Sequence, residues 1–302
     1  MPECKGFPLE LEYKKNTGIT AEDIAKLRQW LKTQPHLPEP HITDLDLILA
    51  FHSCNRSTEV TKQVVDLHYT LNTLFTNFFS NRTFDAKIQD MLDNILFAPL
   101  PTRTPSGDAI LYMRILNTDV KVFNIETWIK GFFMVMDLVQ YEEGTWPGFQ
   151  IIVDFEGLGL GHITKVDVTN MRSVLYYLQE ALFAKLSGLH YINAPSCIDV
   201  LLAMIKPFMK KELMRIFHVH TAPVSELGSF FPVDALPKEA GGKYKTFEEC
   251  KQDITAKIKN SNAFFEQESL KRVTESLRPG KQKTISDIFE GVEGSFKKLD
   301  ID

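Results

Sequence analysis

Cysteine is scarce: four among 302 residues, Cys4, Cys54, Cys197 and Cys250, each standing alone. That spacing excludes a disulfide scaffold and the paired cysteines of a zinc site, so reduced thiols in a cytoplasmic protein are expected. Positive charge is not in excess either. A formal net charge of -5 removes any global electrostatic drive toward nucleic acid, and no nucleic-acid partner is expected; contact with an anionic surface would need a local patch. No apolar run approaches the ~18 residues of a membrane span, because "GFFMVMDLV" carries Asp137 and "CIDVLLAMI" carries Asp199. The opening "MPECKGFPLELEYKKN" lacks a continuous apolar core, which argues against a secretory signal and for a soluble chain.

Catalytic signatures are missing too. There is no G-x-S-x-G elbow, no H-E-x-x-H and no P-loop, and no enzymatic activity is expected. The stretch "DFEGLGLGHI" sets Gly157, Gly159 and Gly161 at alternate positions, whereas a dinucleotide fingerprint is G-x-G-x-x-G opening a helix directly. His162 takes the third required place, and the next helical pattern begins only near Val168. Its amides would lie too far from the glycines to hold a pyrophosphate. His218 and His220 fall on one face of a strand as half of a metal site, but no carboxylate or cysteine has matching spacing, so the expectation is edge-of-sheet histidines.

Apolar residues, by contrast, make up 44% of the chain, with 22 phenylalanines. A surplus of that kind must be buried in one large domain or two. Residues 20–95 read as helices: Thr20 caps "AEDIAKLRQWLK" with Ile24, Leu27 and Leu31 on one face, and "ITDLDLILAFHSC" and "STEVTKQVVDLHYTLNTLFTNFF" follow. At "APLPTRTPSG" the composition shifts to Pro, Thr and Gly, as in a linker. Beyond it strands alternate with helices, "AILYMRIL", "FQIIVDF", "GLHYINA" and "RIFHVHT" being the strands. That alternation predicts an α/β fold with a mostly parallel sheet and right-handed crossovers. The expected organisation is a helical N-terminal domain over 1–97, an α/β domain over 98–242 and a helical tail over 243–302. In the tail Lys271, Arg272, Arg278, Lys281 and Lys283 read as a solvated basic cluster.

The helix from Ile198 is apolar around most of its circumference, through Val200, Leu201, Leu202, Ala203, Met204, Ile205 and Met209, interrupted by Asp199 and Lys206. Such a helix is either covered on both sides or lies over a cavity with one face and meets a membrane or partner with the other. Pro207 ends or kinks it, and Lys210, Lys211 and Arg215 follow, as suits a movable lid.

Three segments, "IIVDFEGLGLGHI", "GLHYINAPSCIDVLLAMIKPFMKKELMRIFHVH" and "ALPKEAGG", resemble in order and spacing the signature segments of the CRAL-TRIO lipid-binding family, and the N-terminal helices look like its helical companion domain. The resemblance implies a sheet floor, helical walls and one long apolar pocket closed by a gate helix after "INAP". It implies a monomer that holds a single hydrophobic lipid, of isoprenoid type such as a tocopherol, retinoid or carotenoid, and exchanges it at membranes without a catalytic cofactor. Carried over position by position, the pocket takes Trp128, Gly131, Phe132 and Val135 from one helix, Val153 and Leu158 from the strand and its exit, Val174, Tyr177 and Leu178 from the next helix, and Ile198, Leu202 and Ile205 from the gate. Tyr112, Tyr177 and His162 are candidates for the polar end of the ligand, and the glycine loop lies at the pocket rim. A phosphoinositide-responsive patch would use Lys185, Lys210, Lys211 and Arg215, although Glu212 and Ile216 occupy two positions where such members carry cations. The companion domain's arginine-rich helix is likewise replaced by "LILAFHSCNRS". The rival expectation is a lipid-sensing module that acts through a protein partner.

Overall fold

A computed structural model describes residues 5–289, which leaves Cys4 outside the described part. The N-terminal helices are α1 (Leu9–Glu12), α2 (Ala21–Leu31), α3 (Asp44–Ser53), α4 (Thr58–Leu74), α5 (Thr76–Phe79) and α6 (Ala86–Asn94). Two of them start with the same reciprocal device. The hydroxyls of Thr20 and Thr43 accept the N–H groups of Asp23 and Asp46, whose carboxylates accept the threonine N–H groups in return. Behind these caps the 3.6-residue spacing buries Ile24, Leu27 and Leu31 against Leu45, Ile48 and Phe51.

The rest of the chain is built on β1 (Ile95–Pro99), β2 (Ala109–Ile115), α7 (Ile125–Glu143), β3 (Phe149–Asp154), α8 (Leu160–Ile163), α9 (Val168–Glu180), β4 (Leu186–Ile192), α10 (Ile198–Ile205), α11 (Lys211–Ile216), β5 (Phe217–Val219), α12 (Phe247–Lys259) and α13 (Asn262–Leu270). The five strands lie in chain order; β1 runs antiparallel to β2 and every later pair is parallel. Each parallel step requires a crossover, supplied by α7, by α8 with α9, and by α10 with α11.

Two elements depart from the sequence reading. "ILFAP" is an edge strand running straight on from α6, across the expected boundary between the helical domain and the linker that begins at Ala98; its five apolar residues merge into the preceding helical pattern and carry no period of their own. The strand read from "RIFHVHT" shrinks to β5, because Lys211–Ile216 take a helical turn first.

The tail corrects a third expectation. Lys271 is 4% exposed and its Nζ lies 2.7 Å from Asp46 of α3 and 2.6 Å from Glu268 of α13. Arg278 pairs with Asp66 of α4 at 2.6 Å, Lys283 reaches the same carboxylate, and Arg272 donates to the Phe79 carbonyl. Of the supposed solvated cluster, Lys281 alone is exposed. The others strap the chain's end to the N-terminal helices, and their partners sit some two hundred residues upstream, out of reach of any local pattern. Burial works against the Asp46 carboxylate, yet Lys271 and the Thr43 hydrogen bonds hold it below its usual range.

Several histidines in this architecture resist protonation. Burial pushes His68 and His190 down to about 3, and His52 to about 4, against the ordinary 6.5. The unfolded chain binds protons near 6.5 that the fold refuses, so this stability is present above pH 6.5 and is lost as pH falls toward 4 and below. The urea midpoint is therefore expected to be lower at pH 5 than at pH 7.5, with a weaker dependence in His68→Gln; equal midpoints would contradict it.

An apolar cavity as candidate ligand site

Side chains alternate across a strand, so residues in register share a face. Met113, Val153 and Tyr191 form one row on the face of the sheet toward α7 and α9, and Ile151 and Leu189 belong to the same face two residues back. Trp128, Ile129 and Phe132 of α7 and Met171, Val174, Leu175 and Leu178 of α9 close over them, with Phe155, Leu158 and Ile163 at the rim and Leu201 of α10 above. Between these residues lies a cavity of about 110 Å³. Its side chains are hydrocarbon or the thioethers of Met113 and Met171, apart from Trp128, His162 and Tyr191, and no carboxylate, lysine or cysteine reaches it.

Local sequence shapes the rim. Gly157 has φ +82°, and a Cβ there would stand 2.8 Å from the Thr118 methyl, so only glycine turns the chain out of β3 at this point. His162 is engaged at both nitrogens: Nδ1 accepts the Gly159 N–H and Nε2–H donates to the Thr118 carbonyl. It fixes the glycine loop and is not free to bind a ligand's polar end, which corrects its candidate role. Asp154, fully buried, accepts from Arg114, Asn193 and the Glu156 N–H, so it ties the exit of β3 to the "INAP" loop after β4.

Of the residues singled out from sequence, Trp128, Phe132, Val153, Leu158, Val174 and Leu178 line this one cavity. Tyr112 does not. Its register partner is Ile152, so it stands on the opposite face, where its hydroxyl donates to Asp154 and its ring stacks on Phe247. Gly131 faces β1 and α6: a Cβ there would come within 2.6 Å of Phe97 and 2.7 Å of Met91, so it permits close packing and leaves no room for a ligand. Val135 lies one turn on, beside Leu111, Trp146 and Phe149. Tyr177 is buried among Phe79, Phe133 and His68, its hydroxyl 3.1 Å from His68 Nδ1.

On α10, Leu202 and Ile205 are buried in the surrounding core and Ile198 is half-buried, while the helix reaches the cavity through Leu201. Its outer side exposes Val200 and Ala203. The helix packs on α8 and α9 and ends in a 3-10 turn, Lys206–Phe208, set by Pro207. Among the basic candidates, Lys210 is tied to Glu180 at 2.5 Å, and Lys185 lies near Arg56 and Cys54 of the N-terminal unit, where burial first and Arg56 second lower its pKa. Lys211 and Arg215 are exposed on α11.

His218 and His220 are joined by His190 of β4 on the back face, with His190 Nδ1 3.0 Å from His220 Nε2. Among the described residues no group of His, Cys, Asp or Glu is arranged to hold a metal ion, and no helix is long and apolar enough to cross a membrane. Sequence reasoning missed Met113, Tyr191 and Leu201. Strand parity counted from Val153 reaches the first two once register is known; nothing in the helical pattern of α10 separates Leu201 from Leu202.

A mostly parallel sheet whose helical cover leaves an apolar cavity above it defines an α/β protein with a candidate pocket between sheet and helices. Residues 94–242 match the CRAL/TRIO domain and residues 17–88 the Pinta-like UBA domain. The chain is thus a CRAL-TRIO domain protein, with its cavity inside the matched segment. It is 26% identical over 199 residues to the α-tocopherol transfer protein-like protein of Mus musculus, and 24% identical over 235 residues to clavesin-1 of Xenopus laevis. These matches cover 66% and 77% of this chain, and 53% and 70% of the two relatives, so the chain spans about half the length of the first. The crystal structure of Sfh5 superposes with a TM-score of 0.46 at 12% identity, over 93% of this chain and 99% of that one.

Proposed function

We propose that the protein holds one hydrophobic lipid, of isoprenoid type such as a tocopherol, retinoid or carotenoid, in the cavity above the sheet and passes it between membranes through a movement of α10. The observation that carries this reading is the apolar cavity with α10 in its roof, a helix whose outer side is itself partly apolar. A lipid with ~16 to 20 buried carbons costs roughly 13 to 16 kcal/mol to hold in water, at ~0.8 kcal/mol per methylene. Spontaneous exchange is therefore slow, and a carrier must replace that contact group by group and then release it.

The void of about 110 Å³ is somewhat smaller than an engineered apolar cavity of ~150 Å³ that takes up benzene. The cavity as it stands thus houses about one ring, and a longer guest requires the walls to part. With eight residues, a proline-set end and Val200 already outside, α10 can swing toward a bilayer without desolvating a charge on that residue. The lining offers no acid–base pair or nucleophile, which supports binding over catalysis. The name of the mouse relative, a tocopherol transfer protein-like protein, favours the same class of guest.

Transfer of all-trans-retinol from donor to acceptor vesicles tests the reading: acceleration by catalytic amounts of protein is expected. Tight retention without transfer would favour a sensor acting through a partner. The cytoplasmic-facing delivery step is assigned to Lys211 and Arg215, each contributing about 1 kcal/mol near an anionic surface. Reversing both to glutamate is expected to slow delivery to phosphoinositide-containing vesicles by at least about thirtyfold and to leave neutral vesicles unaffected. An unchanged rate would dismiss the patch.

A further inference from the structure

We propose that the Tyr191 hydroxyl, assisted by the Trp128 indole N–H, is the polar anchor of the cavity, and that the guest therefore carries a hydroxyl or carbonyl oxygen on the end that lies against the sheet. The inference rests on the carrier reading and adds to it the chemistry of the guest and the group that reads it.

Tyr191 lies on β4, in register with Val153, and lines the cavity. Its ring is held from two sides, by Phe155 at 4.7 Å and, edge-on, by Phe217 at 4.8 Å between centroids. Only 6% of the residue is exposed, and among the described residues nothing hydrogen-bonds its hydroxyl. Burial alone raises its pKa, with no charged or hydrogen-bonding neighbour contributing. The two tyrosines favoured from sequence differ on this point, since Tyr112 is committed to Asp154 and Tyr177 lies beside His68. Trp128, 8% exposed on the α7 wall, also has a buried indole nitrogen without a partner.

An unsatisfied buried donor is costly and rare in a folded protein; the Trp128 indole N–H is one, and the Tyr191 hydroxyl on the same lining has no protein partner among the described residues either. A water could relieve them only with two to four polar partners. The other lining side chains are hydrocarbon or thioether, and the one remaining polar residue, His162, has both nitrogens in use. An oxygen on the guest supplies the partner that the protein does not. An indole N–H can only donate and a phenol donates readily, so the pair selects an acceptor oxygen; a pure hydrocarbon would fill the space and leave both groups unmet. Because Phe155 and Phe217 already immobilise the tyrosine ring, little ordering remains to oppose the bond.

The test compares all-trans-retinol with the hydrocarbon in which its hydroxyl is replaced by hydrogen, titrated by retinoid fluorescence against wild type, Tyr191→Phe and Trp128→Phe. Tyr191→Phe removes one oxygen and keeps the aromatic packing. A net hydrogen bond of this kind corresponds to about a three- to tenfold change in affinity. Tyr191→Phe is expected to weaken retinol binding by that factor and to leave the hydrocarbon unchanged or bound more tightly, with Trp128→Phe moving in the same direction. Equal retinol affinity in wild type and Tyr191→Phe would overturn the anchor while leaving the carrier reading intact. Binding of neither probe to wild type would remove the carrier reading and the anchor together.

Discussion

Val174→Trp is expected to abolish uptake of retinol, raising Kd at least a hundredfold, while the protein stays folded. Val174 is buried on α9 and faces the void of about 110 Å³. An indole placed there takes the space that a ring of the guest would occupy. Overpacking a dense core costs about 1–3 kcal/mol, but at this wall the added ring enters empty volume, so the melting temperature is expected to shift by only a few degrees. The same change at Val135, fully buried one turn away from the cavity wall on α7, has no void of comparable size and is expected to unfold the chain. Thermal melts and fluorescence titration of the two variants separate a ligand site from ordinary core. Loss of fold in both would mean that Val174 too is only packing.

Lys271→Met is expected to destabilise the protein by about 3–5 kcal/mol, the range for removing one partner of a buried ion pair. The cation sits between Asp46 and Glu268, and without it both carboxylates stay in a site that is almost closed to water. Asp46 has a second duty, since the same carboxylate accepts the Thr43 N–H that starts α3. Weakening the strap therefore also loosens a helix start in the N-terminal unit. Urea denaturation measures the change; a loss under ~1 kcal/mol would place Lys271 among surface pairs of little consequence. Retinol affinity extrapolated to native conditions is expected to be preserved, since neither Asp46 nor Glu268 lines the apolar cavity above the sheet.

Much of the fold was legible because its signals are local. The Thr20 cap and the spacing of Ile24, Leu27 and Leu31 define α2, and the alternation of apolar strands with amphipathic helices defines the parallel sheet. What escaped depends on contacts between distant segments. "ILFAP" becomes a strand because β2 offers it an antiparallel partner, and Lys271 is buried because Asp46 waits on α3. The candidate site divides along the same line. Tyr112 and Val153 cannot both face one side of the sheet once Tyr112 pairs with Ile152, and that register is a property of two strands together. Gly131, assigned to the pocket by resemblance, is seen to serve close packing only once Phe97 and Met91 are placed against it. Tyr191 lay in plain view in "GLHYINA", but its unpaired hydroxyl is visible only when every neighbour is placed.

The most direct measurement is native mass spectrometry of the intact wild-type protein and of Val174→Trp after both have been incubated with all-trans-retinol and desalted. One retained retinol per wild-type chain and none on the variant is the expected result. Wild type at its bare mass, or equal loading of the two proteins, would contradict a guest held in the void between the sheet and α7, α9 and α10.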